Sequence, residues 1–99
     1  VTIDNILRVI ADHYKLSYAD LKGKKRTKNI VVPRQIAMYI AREITEYSTT
    51  ELGFEFGGRD HTTVMHGCQK IEERLKLDPN LEATIQSLVR AIKDYSSKS

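Results

Sequence analysis

Ninety-nine residues, 40% of them hydrophobic and 29% charged, fit one soluble globular domain with a single modest core and no deep cavity beside it. No apolar run approaches the ~20 residues of a membrane span, and no charged-then-apolar start suggests a signal peptide. The net charge of +3 hides an imbalance, because seven of the sixteen Lys and Arg residues lie between Leu21 and Arg42, with no acid among them.

Outside that stretch the balance is nine basic to thirteen acidic residues. Positive charge gathered in one place suggests an anionic partner: nucleic acid, a membrane surface or an acidic protein. A plain solvated loop would show the same run. The single cysteine, Cys68, excludes an internal disulfide and fits a reducing compartment such as the cytoplasm. A start at Val1 rather than Met fits a piece of a longer protein.

Ile3, Ile6, Leu7, Ile10 and Tyr14 follow the spacing of one helical face, with Thr2 as N-cap. A short helix over Ser17 to Leu21 follows, stopped near Gly23. Pro33 suits the first turn of the next helix, whose buried stripe is Ile36, Ile40, Ile44 and Tyr47. Ile30-Val31-Val32 reads as strand-like but is too short to build a sheet. "STTELGFEFG" predicts a short helix capped by Ser48 or Thr49 and ended by Gly57. Asp60 opens a helix burying Val64, Cys68, Ile71 and Leu75. Asp78-Pro79 starts the last, with stripe Leu81, Ile85, Leu88, Ile92 and Tyr95. With no repeats and no linker, residues 1–99 are expected to form one all-α bundle of about six helices.

The fifth of these helices begins oddly. Gly57 and Gly58 precede it, and Asp60, His61, Thr62 and Thr63 are all poor helix formers. With Val64 inward, Thr62 and His66 lie about 160° away, with Thr63 and Lys70 near that side. The exposed face thus carries hydroxyl and imidazole groups at an amino-terminal turn, where free N–H groups and the helix dipole favour phosphate. A threonine matches the acceptor and methyl of a thymine edge, and an aspartate can accept from a cytosine amino group. A weak helix start carrying these groups suits end-first insertion into a major groove, as the second half of a helix-turn-helix.

"FGGRDHTTVMHGCQKI", preceded by "KKRTKNIVVPRQIAMYIAREIT" and by "VTIDNILRVIADHYKLSYADL", resembles the C-terminal DNA-binding domain of bacterial replication initiators of the DnaA family. The resemblance covers nearly the whole chain, and GGRDHTTV is its most specific part. It implies a helical domain with a helix-turn-helix of the Trp-repressor type, and a short non-palindromic duplex target of the TTATCCACA type. It further implies that Asp60, His61, Thr62 and Thr63 read bases in the major groove and that Arg26 enters the neighbouring minor groove. Lys25, Arg34, Gln35, Arg42 and His66 would hold phosphates, with the backbone at Thr50 and Glu51. No cofactor or metal is implied for this chain; ATP belongs to a preceding module of such initiators, as does any self-assembly. Two departures stand out: the basic loop is Lys24-Lys25-Arg26 where similar proteins carry more arginine, and Thr50 replaces a frequent proline. Only Arg26 then offers the planar group suited to a narrow groove.

Duller readings stand beside these. Asp60 fits a simple N-cap, His61 a half-buried histidine, His66 a plain surface residue and Cys68 a small core residue. A zinc site fails, because His61 and His66 point about 140° apart around the helix. No GxxxxGK[ST] is present, and Cys68 falls on a buried stripe, so no enzyme is expected. The live rival is a basic module for anionic phospholipid or an acidic protein, which leaves Asp60 to Thr63 without a role. RNA fits less well, since the aromatic residues fall mostly on core stripes.

Overall fold

The computed structural model describes residues 1–98. Six helices follow one another: α1 (Ile3–Tyr14), α2 (Tyr18–Lys22), α3 (Lys28–Ile44), α4 (Thr49–Glu55), α5 (His61–Leu77) and α6 (Pro79–Ser97). The all-α architecture read from the periodicity is the one observed.

Each start has a local chemical cause. The Thr2 hydroxyl accepts from the Asn5 amide at 3.1 Å and opens α1. Ser17 and Ser48 each form a reciprocal capping box, with Asp20 and Glu51 respectively. Asp78 accepts from the amides of Asn80 and Leu81, and Pro79 occupies the first position of α6. The end of α1 has no glycine: Lys15 itself takes the left-handed conformation at φ 58°, letting the Leu16 amide reach the Ala11 carbonyl at 2.8 Å.

α3 departs from expectation. It starts at Lys28, so Pro33 lies inside the helix and Ile30-Val31-Val32 is helical rather than strand-like. Proline lacks the N–H that would meet the Asn29 carbonyl, but Asn29 is exposed and water can serve that group. Burial of Ile30 and packing of Val32 on the core outweigh β-propensity here.

The core joins Ile6, Leu7 and Ile10 of α1 with Leu21, with Ile36 and Ile40 of α3, with Leu52, and with Val64, Cys68 and Ile71 of α5. Leu88 and Ile92 of α6 close it from the far side. Each fully buried side chain of this size contributes roughly 1.5–3 kcal/mol. The stripes fade at their ends: Ile44, Tyr47, Leu75 and Leu81 are half-buried, and Tyr95 is exposed, at the rim of a cleft between α1 and α6. Burial pushes the Cys68 thiol up, so it stays protonated as a core residue.

α4 and α5 are drawn together at one point. A Cβ on Gly53 would stand 2.2 Å from the Arg59 carbonyl oxygen, and the Arg59 amide donates to the Gly53 carbonyl at 2.7 Å. The clash is with backbone, which cannot swing aside. Gly53→Ala should therefore lower the unfolding free energy in urea by about 1–3 kcal/mol or more. Met65→Ala, on the exposed side of α5, should stay within about 0.5 kcal/mol.

Candidate nucleic-acid interface

The turn between α4 and α5 explains the paired glycines. Phe56 is fully buried and anchors the end of α4, after which Gly57 and Gly58 adopt φ of 80° and 75°. Side chains rarely adopt this region, whereas glycine enters it freely. Gly57 also lies against the foot of the basic loop, since a Cβ there would stand 2.4 Å from the Lys22 carbonyl oxygen.

The turn delivers α5 with its first residues facing outward. Asp60 is the N-cap; its Oδ1 accepts from the Thr62 amide at 3.3 Å and lies 2.9 Å from Nδ1 of His61. His61, Thr62, Thr63, His66 and Lys70 are exposed, opposite the buried Val64, Cys68 and Ile71. The half-buried alternative for His61 does not hold, because its side chain is 51% exposed and turns toward Asp60.

Beside this turn lies a cleft of about 450 Å³ between the basic loop and α5. Arg26 and Lys24 stand on one side, Thr63 and Arg59 on the other, and Gln35 and Met38 of α3 contribute its wall. The structure thus brings Arg26, Gln35 and Thr63 to one opening. His66 is exposed one turn along α5 from Thr62 and does not line the cleft.

Arg34 corrects the expected phosphate set. It is only 5% exposed, and its three nitrogens donate to the carbonyls of Leu21 (2.8 Å), Lys25 (2.8 Å) and Asp20 (2.7 Å). Three neighbouring carbonyls fit the guanidinium fork, so the side chain holds the loop rather than reaching outward. Glu51 is a second correction. Its amide donates to the Ser48 hydroxyl at 3.1 Å, and its carboxylate accepts from the Ser48 amide, which places negative charge where phosphate was expected. Those bonds hold the Glu51 carboxyl below its ordinary value. Thr50 is exposed at the second position of the same helix.

Lys25 is exposed and pairs with Asp20 at 3.4 Å. Arg42 bridges α3 to α5 through an ion pair with Glu72. Burial works against the Arg42 charge most strongly, but the Glu72 hydrogen bond and the neighbouring Cys68, Glu72 and Glu43 together outweigh it, leaving the pKa raised.

Arg59 went unassigned in the sequence, although it stands inside GGRDHTTV. Its guanidinium donates to the carbonyls of Lys22 (3.3 Å), Gly23 and Phe56. Burial first, and nearby Arg26 second, depress its pKa; Arg34 is likewise lowered by burial and then by Arg59. Three guanidiniums therefore share one field, with no carboxylate in ion-pair contact with any of them among the described residues. An arginine does not shed its proton, so a polyanion is the natural relief for this charge. Among the described residues no group of three or more His, Cys, Asp or Glu gathers as a metal site, and no helix is long and apolar enough to cross a membrane.

A two-glycine turn joining two helices, an exposed polar first turn on the second and a cationic loop beside it define a helix-turn-helix domain of the DNA-binding class. The comparisons make that particular. Residues 3–71 match the family described as bacterial dnaA protein helix-turn-helix, and the chain belongs to that family. It is similar to the chromosomal replication initiator protein DnaA of Treponema denticola, 57% identical over 98 residues, covering 99% of this chain and 21% of that protein. The protein of that name from Treponema pallidum is 56% identical over 94 residues, covering 95% and 20%. The Lactobacillus johnsonii protein is 54% identical over 86 residues, covering 87% and 19%. The chain thus spans about a fifth of the length of these curated relatives.

The two arginines with different partners should behave differently in urea. Arg34→Met leaves three carbonyls without their donor and should lower stability by about 1–3 kcal/mol. Arg42→Ala breaks a partly exposed pair and should cost under about 1 kcal/mol.

Proposed function

We propose that this chain is the DNA-docking domain of a bacterial replication initiator, recognising a short asymmetric duplex of the TTATCCACA type. The observation that carries the reading is the shared opening onto which Arg26 and Thr63 face, beside an exposed first turn of base-matching side chains. Asp60, His61, Thr62 and Thr63 read base edges in the major groove. Asp60 does so while capping its helix, since one carboxylate oxygen takes the Thr62 amide and the second can take a base donor. Arg26 enters the adjoining minor groove, where A·T-rich sequence narrows the groove and deepens its negative potential.

Lys25, Gln35, Arg42 and His66 grip phosphate and set the register, with the Thr50 amide as a further donor. For Lys25 and Arg42 this means exchanging a carboxylate for a phosphate; both pairs are exposed enough for that exchange to cost little. The names of the relatives, chromosomal replication initiator proteins, support the setting, and the cytoplasm is the compartment this reading implies. In such a protein, nucleotide hydrolysis and assembly on DNA fall to other modules, and these residues supply the address.

The test is a fluorescence-anisotropy titration of the chain with two labelled duplexes, one holding such a box and one its scrambled version, at physiological salt. Tight binding to the first and weak binding to the second is expected. Equal binding to both would leave a charge-driven grip alone and favour the anionic-surface reading. Thr62→Ala and His61→Ala should each cost ~1–3 kcal/mol on the box and little on the scramble. Arg42→Ala should weaken both duplexes alike. With about four to six phosphates neutralised, log K should fall against log salt with a slope of about −4 to −5.

A further inference from the structure

Two DNA-reading parts come from distant stretches of chain, the loop after α2 and the first turn of α5, yet they must meet adjacent grooves at one spacing. The loop has no regular secondary structure of its own from Gly23 to Thr27. Left to itself, such a segment would sample many conformations and lose that freedom on binding. Something must hold it in advance.

Arg59 sits between the two parts. Its backbone is the last step before the Asp60 cap, and its side chain reaches the carbonyls of Lys22 and Gly23 at the start of the loop. The same guanidinium also bonds the Phe56 carbonyl of its own turn. The Gly57 backbone presses on the Lys22 carbonyl from the same side. Arg34 holds the end of α2 at Asp20 and Leu21 and the loop itself at Lys25. The carbonyls of Lys22, Gly23 and Lys25 on the path to Arg26 are thereby tied either to α3 or to the helix-turn-helix turn.

We propose that Arg59 is a positioning residue that fixes the span between the basic loop and the recognition helix, so that Arg26 and the first turn of α5 engage adjacent grooves in one register. This rests on the DNA-docking reading above. The choice of residue fits the task. A rigid planar fork can bridge carbonyls from two segments at once, whereas a lysine ammonium on a flexible stem acts as a point charge. A partly buried cation beside Arg26 with no acid partner is a poor choice for stability alone. It becomes a good one when a polyanion lies across the opening.

The experiment is a double-mutant cycle on the full chain with Arg59→Lys and Arg26→Ala, each confirmed folded by circular dichroism. Binding is read by anisotropy on the box, on a box whose A·T end is replaced by G·C, and on a scrambled duplex. Arg59→Lys keeps the charge, so its binding to the scramble should be unchanged. On the box it should lose roughly tenfold in affinity, and the loss should vanish on the duplex with the G·C end. In the Arg26→Ala background the same substitution should change affinity by less than about twofold, because the loop then has no base reader to misplace. A loss of equal size in that background, or an equal loss on all three duplexes, would reduce Arg59 to a general stabiliser and overturn the proposal. No loss on the box would overturn it too. Failure of the unsubstituted chain to prefer the box would instead overturn the DNA-docking reading on which it stands. Should the lysine variant not fold, Arg59→Gln, a shorter and neutral amide, repeats the cycle. It also removes a charge and weakens every duplex, so the excess loss on the box over the scramble is then the quantity expected to vanish in the Arg26→Ala background. An excess that persists there overturns the proposal.

Discussion

The sharp turn from α4 into α5 is the constraint from which the rest of the arrangement follows. It needs a helix face without a side chain at Gly53, because the Arg59 carbonyl approaches to where a Cβ would sit. It also needs two successive residues at positive φ, Gly57 and Gly58. Buried Phe56 pins the turn to the core, so the direction in which α5 leaves is set by packing rather than by a flexible link. Once that direction is set, the position of Asp60 to Thr63 is no longer free. A substitution at Gly53 or Gly57 therefore reaches function through geometry, without touching any group that would meet a base.

Charge in this chain is divided between two kinds of partner, and the division has consequences. Lys25 and Arg42 rest against carboxylates, which a phosphate can replace, so their positive charge is lent out on the surface. Arg34 and Arg59 rest against neutral carbonyls, which organise the guanidinium without cancelling its charge. The first kind supplies adjustable grip. The second builds a fixed positive field around Arg26, at the expense of mutual repulsion in the free protein. Sites that must meet a polyanion commonly carry such unrelieved charge, because the missing counterion arrives with the ligand.

Much of the architecture was legible in the sequence because local and global signals agree. Thr2, Ser17, Ser48, Asp60 and Asp78 stand before apolar stripes, and each proves to be a cap. The start of α3 was missed because Pro33 is so good a first-turn residue; a proline inside a helix is tolerable only when the orphaned carbonyl faces water, and that exposure is a tertiary fact. Tyr95 was misplaced for a related reason, since periodicity continues past the point where neighbouring helices stop covering it. In the site, the exposure of Thr62, Thr63 and His66 could be read from the angle around α5 alone. The role of Arg34 could not. A basic residue in a basic run looks like one more phosphate contact until the three carbonyls converging on it are seen, and they come from a segment nine to fourteen positions away.

The weakness of the first turn of α5 now has a physical account. Ala, Glu or Lys at residues 61–63 would strengthen the helix by about a few tenths of a kcal/mol each, and would remove the hydroxyl and imidazole groups from a first turn that faces outward. The lost propensity is recovered locally: Asp60 caps the helix, and Val64, Cys68 and Ile71 lock the next two turns into the core. The turn can therefore be poor in helix formers and still rigid, because its order is imposed from both ends. A rigid turn presents its side chains without the entropy loss that ordering on contact would bring, so under the proposed DNA-docking role discrimination between bases would not be eroded by the freedom of the reader. The same reasoning applies to the loop that carries Arg26, which has no helix to stiffen it and is held instead by the two arginines at its foot.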